Sequence, residues 1–97
     1  MGRKPVPEIV FRVRWPDASV QQCYSPSTVV EEFFVPGDSY PVAEFVDRSR
    51  TALTQASERV RRIYGFGCAQ AAAQLADIEA RAKSFEDGRV VVEGFER

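Results

Sequence analysis

The chain contains no histidine. That absence removes the commonest general base, the commonest metal ligand, and every serine–histidine or cysteine–histidine pair. Cysteine is scarce as well. Cys23 and Cys68 stand far apart in the sequence, and without histidine they make a poor zinc site. No apolar run approaches the ~18 residues that a membrane span needs. The opening Met1-Gly-Arg-Lys-Pro lacks the apolar centre of a signal peptide, and Val6 stands where a myristoylation signal needs serine or threonine. A cytoplasmic protein with free thiols is therefore expected. No Walker-type phosphate loop or GxGxxG occurs, and Gly65-Phe-Gly67 lies between two helical patterns rather than after a strand. Net charge is −1, so nothing draws the whole chain to nucleic acid or to an anionic membrane. No cofactor or metal site is expected.

What the chain does have is enough apolar material for one small core. Of its 97 residues, 44% are hydrophobic, which supports a single domain near the lower size limit. We expect a tail over residues 1–7 and one α+β domain over 8–97. So short a chain leaves few side chains to line a deep pocket, and a site at a subunit interface, hence a homodimer, is expected. Charge is unevenly placed. Residues 15–47 carry Asp17, Glu31, Glu32, Asp38, Glu44 and Asp47 with no basic residue. Residues 48–62 carry Arg48, Arg50, Arg59, Arg61 and Arg62 against Glu58 alone. Such blocks can complement each other within one molecule or between copies, or simply form solvated helix faces.

Periodicity assigns the elements. Ile9, Phe11, Val13 and Trp15 alternate with Val10, Arg12 and Arg14, a strand with one buried and one wet face. Pro16-Asp17 suits a type I turn. With Ala18 left-handed in a three-residue loop, Trp15 faces Ser19, Phe11 faces Cys23, and Tyr24 joins Val10 on the other face. Ser25-Pro26 reads as the cap and first residue of a short helix bearing Val29, Val30, Phe33 and Phe34, ended by Pro36-Gly37. Pro41 opens a long helix at its first position. Its stripe runs Val42, Phe45, Val46, Leu53, Ala56, Val60, Ile63, and it stops at Gly65 with Phe66 folding back. A second helix over 68–85 buries Cys68, Ala71, Ala72, Leu75, Ile78, Ala82 and Phe85, and its alanines allow close antiparallel packing. Arg89–Glu93 is a last strand, added to the hairpin. The order β-β-α-α-α-β gives a small antiparallel sheet packed on a helical hairpin. No repeat or low-complexity tract interrupts it.

Few residues remain for chemistry. Cys68 is the catalytic candidate, in the first turn of a helix where the dipole favours thiolate, although it also begins an apolar stripe and can serve as packing. Cys23 points inward from its strand. A Cys23–Cys68 disulfide needs the sheet to pack on the start of the last helix. Glu31, Glu32 and Glu44 form either a carboxylate group for acid–base work or ordinary solvated charges. Arg48, Arg59 and Arg62 fall near one another on a helix surface, and Arg12, Arg14 and Tyr24 share the wet strand face. With Tyr64, they could bind phosphate, carboxylate or an acidic partner surface. As readers of nucleic acid they lack net charge and an exposed aromatic platform.

The words Phe11-Arg-Val-Arg-Trp-Pro-Asp17, Cys23-Tyr-Ser-Pro-Ser27, Phe45-Val-Asp-Arg-Ser-Arg-Thr-Ala-Leu53 and Tyr64-Gly-Phe-Gly-Cys68 resemble a family of small bacterial proteins named for a nitrogen-starvation response. The likeness covers roughly residues 8–85. It implies a bacterial cytoplasmic protein encoded beside a nitrilase, with a radical-SAM protein, an acetyltransferase-like protein and a flavin-dependent oxidoreductase as usual neighbours. No activity or catalytic residue comes with the family. Two departures stand out: Ala18 where the turn would favour glycine, and Gly67 where proline is expected. That family context, together with the missing catalytic groups, leads us to expect a non-catalytic accessory protein that binds an enzyme or intermediate of that pathway. The alternatives are a small cysteine-dependent enzyme or carrier using Cys68, and a nucleic-acid-binding regulator.

Overall fold

Alternation along the first strand decides where the core lies. The computed structural model describes residues 8–66 and 69–96. The tail expected over 1–7 lies outside them, and so does Cys68. Strand β1 (Ile9–Arg14) buries Ile9, Phe11 and Val13 and exposes Arg12 and Arg14. It pairs antiparallel with β2 (Val20–Ser25) in the expected register, Phe11 opposite Cys23 and Val10 opposite Tyr24. Ala18 takes φ 72°. Trp15 N–H donates to the Ser19 carbonyl at 2.8 Å, and the Asp17 carboxylate accepts from the Ser19 amide at 3.0 Å and hydroxyl at 2.6 Å. Those bonds hold the Asp17 carboxyl below its ordinary range.

The segment after β2 differs from expectation in three ways. The cap is Ser27, whose hydroxyl accepts from Val29 N–H at 3.2 Å, while Ser25 stays in β2 and its hydroxyl bonds Ser27 instead. Thr28–Glu32 is a 3-10 turn rather than an α-helix. Two adjacent valines and the nearby Pro36-Gly37 leave no room for a helical nucleus. Then Ser39–Pro41 forms a strand, β3, that periodicity does not disclose, because it is three residues long and ends in proline. Pro41 is consequently extended, at ψ 147°, and caps helix α1 (Val42–Tyr64) from outside its first turn.

All strands run antiparallel in the order β2-β1-β4-β3. Strand β4 (Arg89–Glu96) is longer than the expected five residues and lies between β1 and β3. A bulge shifts its register: Arg12 faces Gly94 while Val13 faces Val92, leaving Glu93 as the extra residue. Gly88 precedes β4 at φ 100°, where an added Cβ would come within 2.9 Å of Pro16.

Helix α1 and helix α2 (Ala69–Ala82) cover one face of the sheet. Their buried side chains meet an aromatic cluster in which Phe34 lies 5.8 Å from Phe11 and 5.3 Å from Phe45, and Trp15 lies 5.5 Å from Phe45 and 5.7 Å from Phe85. Each buried ring contributes roughly 1.5–3 kcal/mol by leaving water. Helix α2 tracks β2. The side-chain carbonyl of Gln74 accepts from the Tyr24 amide at 2.9 Å, and Arg81 donates to the Ser19 hydroxyl at 2.6 Å. At the other edge, the Ser39 carbonyl accepts from Arg89 at 2.9 Å. The fold is the expected α+β arrangement with one further strand. Among the described residues, no helix is long and apolar enough to cross a membrane.

Candidate functional site

The candidate arginines fall in three places. Arg12 and Arg14 lie on the sheet face away from the helices, each bound to the bulge residue Glu93, at 3.1 and 2.8 Å. Because Glu93 is the extra residue of the bulge, its carboxylate reaches both guanidinium groups. Tyr24 shares that face and donates its hydroxyl to Glu8 at 3.0 Å. Arg48 is tied down elsewhere: it pairs with Glu44 at 2.8 Å, donates to the Phe33 carbonyl at 2.9 Å, and lies 4.8 Å over the Tyr40 ring. Arg59 and Arg62 sit near the end of α1 with Tyr64, the two arginines about one helical turn apart. Neither has an ion-pair partner among the described residues.

The end of α1 forms an exposed tip. The 23-residue helix is roughly 34 Å long, whereas the six residues of β1 span roughly 20 Å. The stripe of Phe45, Ser49, Ala52, Leu53 and Ala56 continues in sequence into Val60 and Ile63, but full burial stops at Ala56. Val60 is half-buried, and Ile63 and Tyr64 are each 46% exposed. Gly65 stops the helix at φ 86°, its N–H donating to the Arg61 carbonyl at 2.7 Å. Phe66 then projects, 67% exposed, its ring 6.4 Å from that of Tyr64. Three large apolar side chains beside Arg59 and Arg62 make a compact amphipathic surface.

At the opposite end the two helices diverge into a groove of about 330 Å³. Val42, Ala43, Val46, Ala82 and Phe85 line it, and Asp47, Glu79, Lys83 and Glu86 form its rim. Arg50 bonds both Asp47 and Glu79, at 2.9 Å each. A smaller hollow of about 190 Å³ lies further along the same two helices between Leu53 and Leu75, and one of about 90 Å³ lies beside Gly94 on the sheet.

Among the described residues, no group of three or more cysteines and carboxylates could hold a metal. The Cys23 thiol is pushed up to about 12 by burial, with Asp77 adding to the shift and Arg81 opposing it. It is neutral at any physiological pH and inert as a nucleophile.

A family model described as nitrogen starvation-induced protein NitG matches residues 10–95. The chain belongs to that family. The matched span takes in every strand and helix of the fold apart from the outermost residues Ile9 and Glu96. No curated protein and no solved structure matches the chain. One residue of the tip differs from its sequence expectation: Ile63 continues a core stripe but is exposed, whereas Phe66 turns back toward the last turn of α1 as expected and meets the Tyr64 ring. The disparity between helix length and strand length is the signal that could have found it. The second helix ends at Ala82, short of the expected Phe85; Ala72 is exposed, while Leu75, Ala82 and, beyond the helix, Phe85 are half-buried.

Proposed function

We propose that this protein serves the nitrogen-starvation response without catalysis, as an accessory protein that binds an enzyme of a nitrilase-linked pathway. The observation that carries the reading is the exposed tip of α1. An apolar surface of Ile63, Tyr64 and Phe66 lies beyond the last fully buried residue of the helix, Ala56. Folding gains nothing from leaving such groups in water, whereas a partner that covers them gains the whole transfer term. Arg59 and Arg62 beside them select a partner surface that is acidic as well as apolar.

The test is direct binding of the purified protein to each enzyme encoded with it, the nitrilase first. The expected result is capture of one enzyme by the wild type, and loss of that capture in an Arg59→Glu, Arg62→Glu double variant. Absence of binding to every pathway protein, or equal binding by the double variant, would refute the proposal.

A further inference from the structure

We propose that the tip of one copy docks in the groove between α1 and α2 of a second copy, head to tail. This deepens the interaction reading and rests on the same surface. Three observations support it. The tip presents exposed rings from Tyr64 and Phe66, and the groove has an apolar floor that includes Val42, Val46 and Phe85. Its volume of about 330 Å³ is within the range that holds small aromatic groups. The tip cannot fill its own groove, because the two stand at opposite ends of one rigid helix roughly 34 Å long.

Charge selects this pairing over the alternative. Two tips meeting face to face would bring Arg59 and Arg62 against their own copies. The groove rim instead carries Asp47, Glu79 and Glu86 against Lys83, and Arg50 engages only the first two of these carboxylates. Glu86 therefore stands opposite an incoming guanidinium without an ion-pair partner among the described residues. Each copy has one tip and one groove, so the contact is heterologous and builds rings or chains. A chain leaves one tip open at its end, where a pathway enzyme can still bind.

Sedimentation velocity on the purified full chain tests this without any other protein. At concentrations on the order of 100 μM, the average mass should exceed the monomer's 10.9 kDa and fall toward it on dilution or in high salt. Phe66→Asp disables the tip, and Ala43→Arg, at an exposed groove position, disables the groove. Each variant alone should remain monomeric with unchanged circular dichroism. Mixed in equal amounts, they should recover a species of about twice 10.9 kDa, since one keeps the groove and the other the tip. Should Phe66→Asp fold poorly, Arg62→Glu takes its place. A wild type that stays monomeric throughout, variants that still assemble, or a mixture that regains no mass would each overturn the proposal. A monomeric wild type that still binds a pathway enzyme through Arg59 and Arg62 would overturn self-docking alone.

Discussion

Cys23 shows how burial controls the chemistry of a single side chain. It lies opposite Phe11 in the hairpin, fully enclosed, and its thiol titrates near 12 rather than near 9. The unfolded chain loses this proton at the ordinary value while the folded chain keeps it. Stability from this group is therefore complete below about pH 9 and declines as pH rises toward 12. Denaturation midpoints of the wild type should fall over that range more steeply than those of Cys23→Ala, whose slope lacks this proton. Parallel slopes would show that the thiol ionises freely in the fold. The position of Cys23 is legible in the sequence, because strand alternation fixes which face each residue takes. Ile63 is not legible by the same logic. A helical stripe states which side an apolar residue faces, and says nothing about whether anything lies beneath it.

The hairpin and the helices differ as elements in how much they reveal. Pro16, Asp17 and the alternation on both sides determine the turn length and the register, down to the left-handed Ala18. At φ 72° an alanine carries a strain of roughly 1 kcal/mol that glycine escapes. Glycine's greater freedom in the unfolded chain returns part of that gain, so Ala18→Gly should raise the melting temperature by no more than about 4 °C, read in a thermal melt; a fall would mean that the loop relaxes around alanine. Strand β3 stays hidden because three residues carry no measurable period. Its identity depends on Tyr40, whose buried ring packs 5.5 Å from Phe34 and whose hydroxyl accepts from Val35 N–H at 2.9 Å. The cap lies at Ser27, two residues beyond the expected Ser25, since Ser25-Pro26 satisfies the same local rule equally well and only the length of β2 decides between them.

On the scale of the whole molecule, which measures 43 × 21 × 18 Å, α1 is the longest element. Stability should be graded along it. Amides from Val42 to Ala56 sit over the aromatic cluster, and those from Ser57 to Tyr64 lie beyond the last buried residue of the helix. Hydrogen exchange in dilute protein should be fast in the second group and slow in the first. Uniform protection along the helix would mean that the tip is not an overhang. The candidate site is half legible: the sequence brings Arg59, Arg62 and Tyr64 forward, while the apolar members depend on comparing a helix with a sheet it outgrows.

The two edges of that sheet carry a separate consequence. Gln74 accepts from the amide of Tyr24, Arg89 takes the carbonyl of Ser39, and Pro41 has no amide to offer. A neighbour cannot readily join by adding a strand, a mode that reads mostly backbone and so accepts many sequences. In the proposed binding, recognition falls to a few side chains at the ends of α1. If the proposed contacts hold, substitution at those positions would change the company this protein keeps while every residue that holds its fold remains as it is.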